Sequence, residues 1–139
     1  MPFNVSHIEK GPRDGEALIF LHGIGGDCHS WDFQLESFSD DYRAIAWDMP
    51  GYGNSTSINP MTFENLSNSL FKLIDHLKIE QAHIIGHSMG GMIAQQAIAT
   101  SENRFKTATL SATSPAFGKS DGEFQKNFIK ARIKPLEDG

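Results

Sequence analysis

The chain has 139 residues, an apolar fraction of 39% and a net charge of -5. That length fits one domain able to bury a core, and the composition is not that of a disordered chain. The acidic balance argues against a nucleic-acid or acidic-membrane partner. In chain order, "ALIFLHG" (17–23) is apolar on both faces and ends in glycine, as a buried parallel strand does. "SWDFQLESF" (30–38) spaces Trp31, Leu35 and Phe38 on one helix face, and Trp31 and Phe33 are read as core. "YRAIAWD" (42–48) is a second strand, and "MPGYGNSTSINP" (49–60) is loop. "TFENLSNSLFKLIDHL" (62–77) sets Phe63, Leu66, Leu70, Leu73 or Ile74, and Leu77 on one stripe, the clearest amphipathic helix. "QAHIIGH" (81–87) is a third strand, a helix runs from Ser88 to about Ala99, and "TATLSAT" (107–113) is a fourth strand. This βαβαβαβ order predicts an α/β fold, a parallel sheet with helices on both faces.

After Pro115 the pattern changes: "AFGKSDGEF" is loop-like and "EFQKNFIKARI" a short helix. Residues 1–115 are read as the core and 116–139 as the start of a cap or a linker. Lys119, Lys126, Lys130, Arg132 and Lys134 cluster here, interleaved with Asp121, Glu123, Glu137 and Asp138, the pattern of a solvated helix face. Cys28 is the only cysteine, which excludes an intrachain disulfide and argues against a Cys-based zinc site. No metal or cofactor is expected. No signal peptide or membrane span is read, so the expected location is the cytoplasm and no membrane partner is implied.

The chemistry centres on "GHSMGG" (86–91). Gly86-x-Ser88-x-Gly90 lies between a predicted strand and a predicted helix, where glycines allow strand and helix to approach and the serine is exposed on a sharp turn. The helix N-terminus there favours developing negative charge. "HGIGG" (22–26) follows the first strand. An acyl-transfer site needs two N–H donors aimed at an oxyanion. Met89 offers one, and the loop around Ile24, between Gly23 and Gly25, offers the other. Taken alone, "HGIGG" reads as a plain glycine turn.

"LIFLHGIGGDCHSWDFQ", "AWDMPGYGNS" and "AHIIGHSMGGMIA" together resemble the α/β-hydrolase superfamily, from about Ala17 to about Pro115. Within it the chain is similar to serine esterases and lactonases. The resemblance implies Ser88 as nucleophile, the Ile24 and Met89 amides as oxyanion donors, and His22, Gly23, Gly86, Gly90 and Asp48 as structural residues of the motifs. Asp48 would organise a loop beside the site, and His22 would fix the oxyanion loop. The implied reaction is hydrolysis of a small carboxylic ester or lactone through an acyl-enzyme. Carbon–carbon bond hydrolysis of a diketone is the alternative chemistry, and a non-catalytic binding or folding module the alternative class.

One part of the pattern fails. The family's order is Ser, then acid, then His, yet the six histidines are His7, His22, His29, His76, His83 and His87, all before Ser88. The expectation is therefore an N-terminal portion lacking the triad acid and histidine, an incomplete core, very weak activity, and a fourth strand whose open edge pairs with another chain. His87 is expected to point away from Ser88, His29 to be a surface residue, and His76 and His83 to be structural. Asp121 is read as loop, Cys28 as inert, and Tyr52 and Met89 as candidates to line an acyl pocket.

Overall fold

The computed structural model describes residues 4–116 and 118–139. Residues 1–3, and Phe117 in the loop-like stretch after Pro115, lie outside the described residues. Five strands form one sheet in the order β1-β3-β2-β4-β5. They are β1 (His7–Lys10), β2 (Ala17–Leu21), β3 (Arg43–Trp47), β4 (Ala82–His87) and β5 (Phe105–Ser111). β2 pairs in parallel with β3 and β4, and β4 in parallel with β5.

The first difference from the sequence reading is β1, which pairs antiparallel with β3, His7 opposite Trp47. Its four residues carry no alternation of buried and exposed positions. What anchors it is long-range: the Arg43 guanidinium donates from Nε and Nη2 to the two Glu9 carboxylate oxygens, each at 3.1 Å. The sheet is thus parallel but for one edge strand. β5 is the second difference, shifted two residues toward the N-terminus of the predicted 107–113. The chain turns out at Ala112, whose φ of 48° is incompatible with strand continuation.

Helices cover both faces. α2 (Phe63–His76) and α3 (Met89–Thr100) lie on one, and α1 (Asp32–Phe38) on the other. α2 starts where the Thr62 hydroxyl accepts the Asn65 N–H at 3.1 Å, an N-cap. Its stripe Leu66, Leu70, Leu73 and Ile74 is buried against Ile19, Ile45, Trp47 and Ile84 of the sheet. Each such side chain contributes about 1.5–3 kcal/mol by leaving water. Phe63, the first residue of the predicted stripe, is exposed.

The first predicted helix divides. Asp27 and Ser30 form a capping box around a 3-10 turn, Cys28–Trp31, and only then does α1 begin. Phe33 lies two positions before the buried Leu35 within α1, on the opposite face, and is 78% exposed, so it is not core. α4 (Glu123–Asp138) is longer than the predicted short helix and carries Pro135 inside it. It buries none of its residues. Among the described residues no helix is long and apolar enough to cross a membrane.

Candidate functional site

Ser88 stands between the end of β4 and the start of α3, with φ 52° and ψ -117°. A non-glycine residue held there costs on the order of 1–3 kcal/mol. The surroundings fix it at both ends of its backbone. The Ser88 N–H donates to the Ser111 carbonyl at 2.9 Å. Its own carbonyl accepts the Gly91 N–H at 3.0 Å and the Thr113 hydroxyl at 2.7 Å.

The turn is possible because strand, helix and neighbouring strand touch without side chains. A Cβ on Gly86 would lie 2.6 Å from the Gly90 oxygen, and one on Gly90 would lie 2.2 Å from the Leu21 oxygen. Ser88 Oγ is thereby presented at the carboxyl end of the sheet, the side on which α/β sheets bind ligands. Among the described residues, the hydrogen bonds of Ser88 are all made by its backbone.

The loop 22–26 faces this turn. His22 is 1% exposed and both ring nitrogens are used. Its Nδ1 lies 2.8 Å from the Gly23 carbonyl, and its Nε2 accepts the Met49 N–H at 3.0 Å. The two contacts tie the loop to the chain just after β3. Tyr52 packs on the same ring, with centroids 5.3 Å apart. The N–H groups of Ile24 and Met89 are not among the donors paired in turns, loops and caps of the described residues. Met89 opens α3, so its N–H has no intrahelical acceptor either.

Asp48 is buried beneath this loop. One carboxylate oxygen accepts the Cys28 N–H at 2.8 Å, the other the Asn54 N–H at 3.0 Å. Its carbonyl accepts the Ser55 hydroxyl at 2.6 Å. Burial alone would raise its pKa, but the Asn54 and Cys28 donors outweigh burial and hold the carboxyl below its ordinary value. The same burial, with Asp48 beside it, pushes the Cys28 thiol up to about 12. Asp27, Cys28 and Asp48 bring three ligand atoms within 4.8 Å of one another. The two carboxylates are already accepting backbone N–H groups and the thiol is protonated, a poor donor set for a cation.

Two cavities meet at Ser88. A cleft of about 640 Å³ is lined by His22, Gly23, Ile24, Trp31, Gln34, His87, Ser111, Phe128 and Arg132 among others. A second, more apolar cavity of about 470 Å³ runs past Phe63, Met89, Met92 and Pro115. Ile24, Ser88 and Phe128 belong to both.

The structure therefore brings Ser88, Ile24, Met89, His22 and Gly23 together, with Gly86 and Gly90 beneath and Asp48 behind. Four expectations change. His87 lines the same cleft as Ser88, because the sharp turn after β4 undoes the strand alternation. Trp31 lines it too, while packing on Phe20 at 5.0 Å. Tyr52 lines neither cavity and Met89 lines the apolar one. Phe128 and Arg132 come from α4, 40 or more positions along the chain, with no local signal in their sequence. His29 is exposed beside Asp32 at 3.1 Å, His83 sits within β4 on the Thr107 hydroxyl at 2.7 Å, and His76 is on the last turn of α2. Asp121 accepts the Glu123 N–H at 3.0 Å, away from the cleft.

The sequence profile of the alpha/beta hydrolase fold matches residues 16–132. The chain belongs to the alpha/beta hydrolase family. Among curated relatives, it is 32% identical over 125 residues to the dihydrolipoyllysine-residue acetyltransferase component of an acetoin cleaving system from Pseudomonas putida, covering 89% of this chain and 34% of that protein. It is 31% identical over 113 residues to 3-oxoadipate enol-lactonase 1 of Acinetobacter baylyi, covering 81% of this chain and 42% of the relative. Among solved structures, a marine microorganism esterase superposes with a TM-score of 0.85 at 27% identity, over 96% of this chain and 51% of that one. The enol-lactonase from Burkholderia xenovorans LB400 gives 0.82 at 26% identity, over 96% and 54%. The chain thus spans well under half the length of these curated relatives.

Proposed function

We propose that this alpha/beta hydrolase chain carries the nucleophile and oxyanion site of a hydrolase for small carboxylic esters or lactones. The observation that carries the reading is the φ of 52° at Ser88, a strained serine held between two cavities. Ser88 Oγ attacks the ester carbonyl. The resulting oxyanion is held by the Ile24 and Met89 N–H groups, which cost no reorganisation because backbone geometry fixes them. Collapse expels the alcohol, or opens the lactone, and leaves an acyl-serine that water hydrolyses to the acid. His22, Gly23, Gly86, Gly90 and Asp48 position these atoms. No cofactor enters the reaction. The enol-lactonase and esterase relatives support the substrate class.

The proton on Oγ needs an acceptor, and among the described residues none is bonded to it. A serine site with its oxyanion donors alone retains roughly 10³–10⁴-fold catalysis over water, and loss of the histidine costs about 10⁶ in turnover. The chain by itself is accordingly a very weak catalyst. The segment carrying α4, which lends Phe128 and Arg132 to the cleft, is read as the start of a cap or a linker beside the site. Prolonged reaction with excess fluorophosphonate followed by intact mass tests the nucleophile: one adduct, formed slowly for want of a general base, is expected on the folded wild type and none on Ser88→Ala. A folded sample that takes no label overturns the reading and leaves a non-catalytic module, which the unbonded hydroxyl favours.

The outer edge of β5 pairs with no strand among the described residues, and we propose that it associates with another chain. Sedimentation is expected to show mass above one chain as concentration rises. A single-chain mass throughout removes this part.

A further inference from the structure

We propose that Arg132 is a carboxylate-binding residue of the Ser88 cleft, so that the preferred substrate is an ester or lactone bearing a second, ionised carboxylate. This rests on the reading of Ser88 as nucleophile and adds the substrate's charge to it.

Among the described residues, the walls of the cleft contain no Asp or Glu, and Arg132 is their one Lys or Arg. Its guanidinium carbon sits 3.3 Å over the Phe128 ring centroid. Stacking on the ring face leaves the in-plane N–H edges of the fork available, the edges that meet a carboxylate in bidentate fashion. The internal bond of Arg132 is long, Nη1 to the Phe128 carbonyl at 3.5 Å. Two other cations of α4 are paired, Lys126 with Glu123 at 3.7 Å and Lys134 with Asp138 at 2.9 Å, and Lys130 lies outside the cleft. Arg132 forms no such ion pair among the described residues.

This is an unusual place for an unpaired cation. The chain as a whole is acidic, at net charge -5. Phe128, whose ring lies under the guanidinium, also borders the second cavity at Ser88. An ester carbonyl over Ser88 and a carboxylate at Arg132 are thus ends of one ligand spanning one cleft. The volume of about 640 Å³ suits a small molecule of that kind. A neutral ester would leave the guanidinium to water and gain nothing from it.

The test compares monomethyl adipate, which has one ester and one carboxylate, with dimethyl adipate, which has two esters. Binding to the chain is followed by NMR titration of the amides of residues 22–26 and 87–89, which requires no turnover. The monoester is expected to bind about three- to tenfold more tightly, a range set by partial solvent screening, and less so as salt rises. In Arg132→Gln the ratio falls to near one. In Arg132→Lys part of it remains, since charge is kept and the planar fork lost. Lys130→Gln, on the same helix but outside the cleft, keeps the wild-type ratio and separates local recognition from net charge. Equal binding of the two esters, no binding of either, or an unchanged ratio in Arg132→Gln overturns the proposal. Fluorophosphonate labelling is run on the same samples. Labelling without a monoester preference defeats the carboxylate site and leaves the nucleophile standing. A monoester preference without labelling does the reverse.

Discussion

β4 and β5 run side by side in parallel, yet their surroundings differ. In β4, Ala82, Ile84 and Gly86 are buried under α2 and α3. In β5, every residue after Phe105 is exposed, Leu110 at 44%. The division continues past the strands. Ser88, which follows β4, sits on close backbone contacts and is fixed by hydrogen bonds at both ends of its backbone. α4, which follows β5, buries nothing and presents Phe124, Ile129, Ile133 and Leu136 to solvent. The lesson concerns where function tolerates freedom. The groups proposed to do chemistry stand on the packed region, and the groups proposed to recognise substrate stand on the open one.

Substitutions on the two sides should therefore separate by size in urea unfolding. Leu70→Ala, at a fully buried position of α2, is expected to cost about 3 kcal/mol. Gly86→Ala forces a methyl against the Gly90 oxygen at 2.6 Å and is expected to cost about 2–3 kcal/mol. A smaller loss for Gly86→Ala would mean that strand and helix separate easily, and the packed region would be less rigid than described.

Asp48→Asn is expected to cost about 2 kcal/mol near pH 7, since it removes a charge that two backbone donors solvate. The pH dependence has a definite sign. The folded carboxyl titrates below the ordinary value of 3.8, so its stabilisation is complete above that value and is lost as pH falls through the folded one. The gap between wild type and Asp48→Asn should close as the pH is lowered below about 4. A gap independent of pH would assign the loss to packing. Ser88→Gly relieves the positive φ at the cost of chain entropy, and is expected to be neutral or up to about 1 kcal/mol more stable while losing all labelling. Leu110→Ala in β5 is expected to change stability by about 0.5 kcal/mol or less.

Much of the packed region was legible in the sequence, because local pattern and tertiary role coincide there. β2, β3 and β4 are short apolar runs, α2 is a stripe, and the glycines around Ser88 mark close approaches. What was not legible depends on distant partners. β1 exists through its pairing with β3 and the bond from Arg43 to Glu9. Ser111 and Thr113 hold the Ser88 turn only because β5 lies next to β4. His87 faces the cleft through the same sharp turn, which strand alternation does not anticipate. Arg132 looked like one cation of a solvated helix face until α4 was placed beside Ser88.

The central claim is that Ser88 and the Ile24 and Met89 amides form one site for acyl transfer. It is tested most directly by a crystal structure of the chain after reaction with a fluorophosphonate. The account predicts phosphorus bonded to Ser88 Oγ, with the phosphoryl oxygen about 3 Å from both the Ile24 and Met89 nitrogens. A phosphoryl oxygen turned to solvent, or phosphorus on another residue, would contradict it.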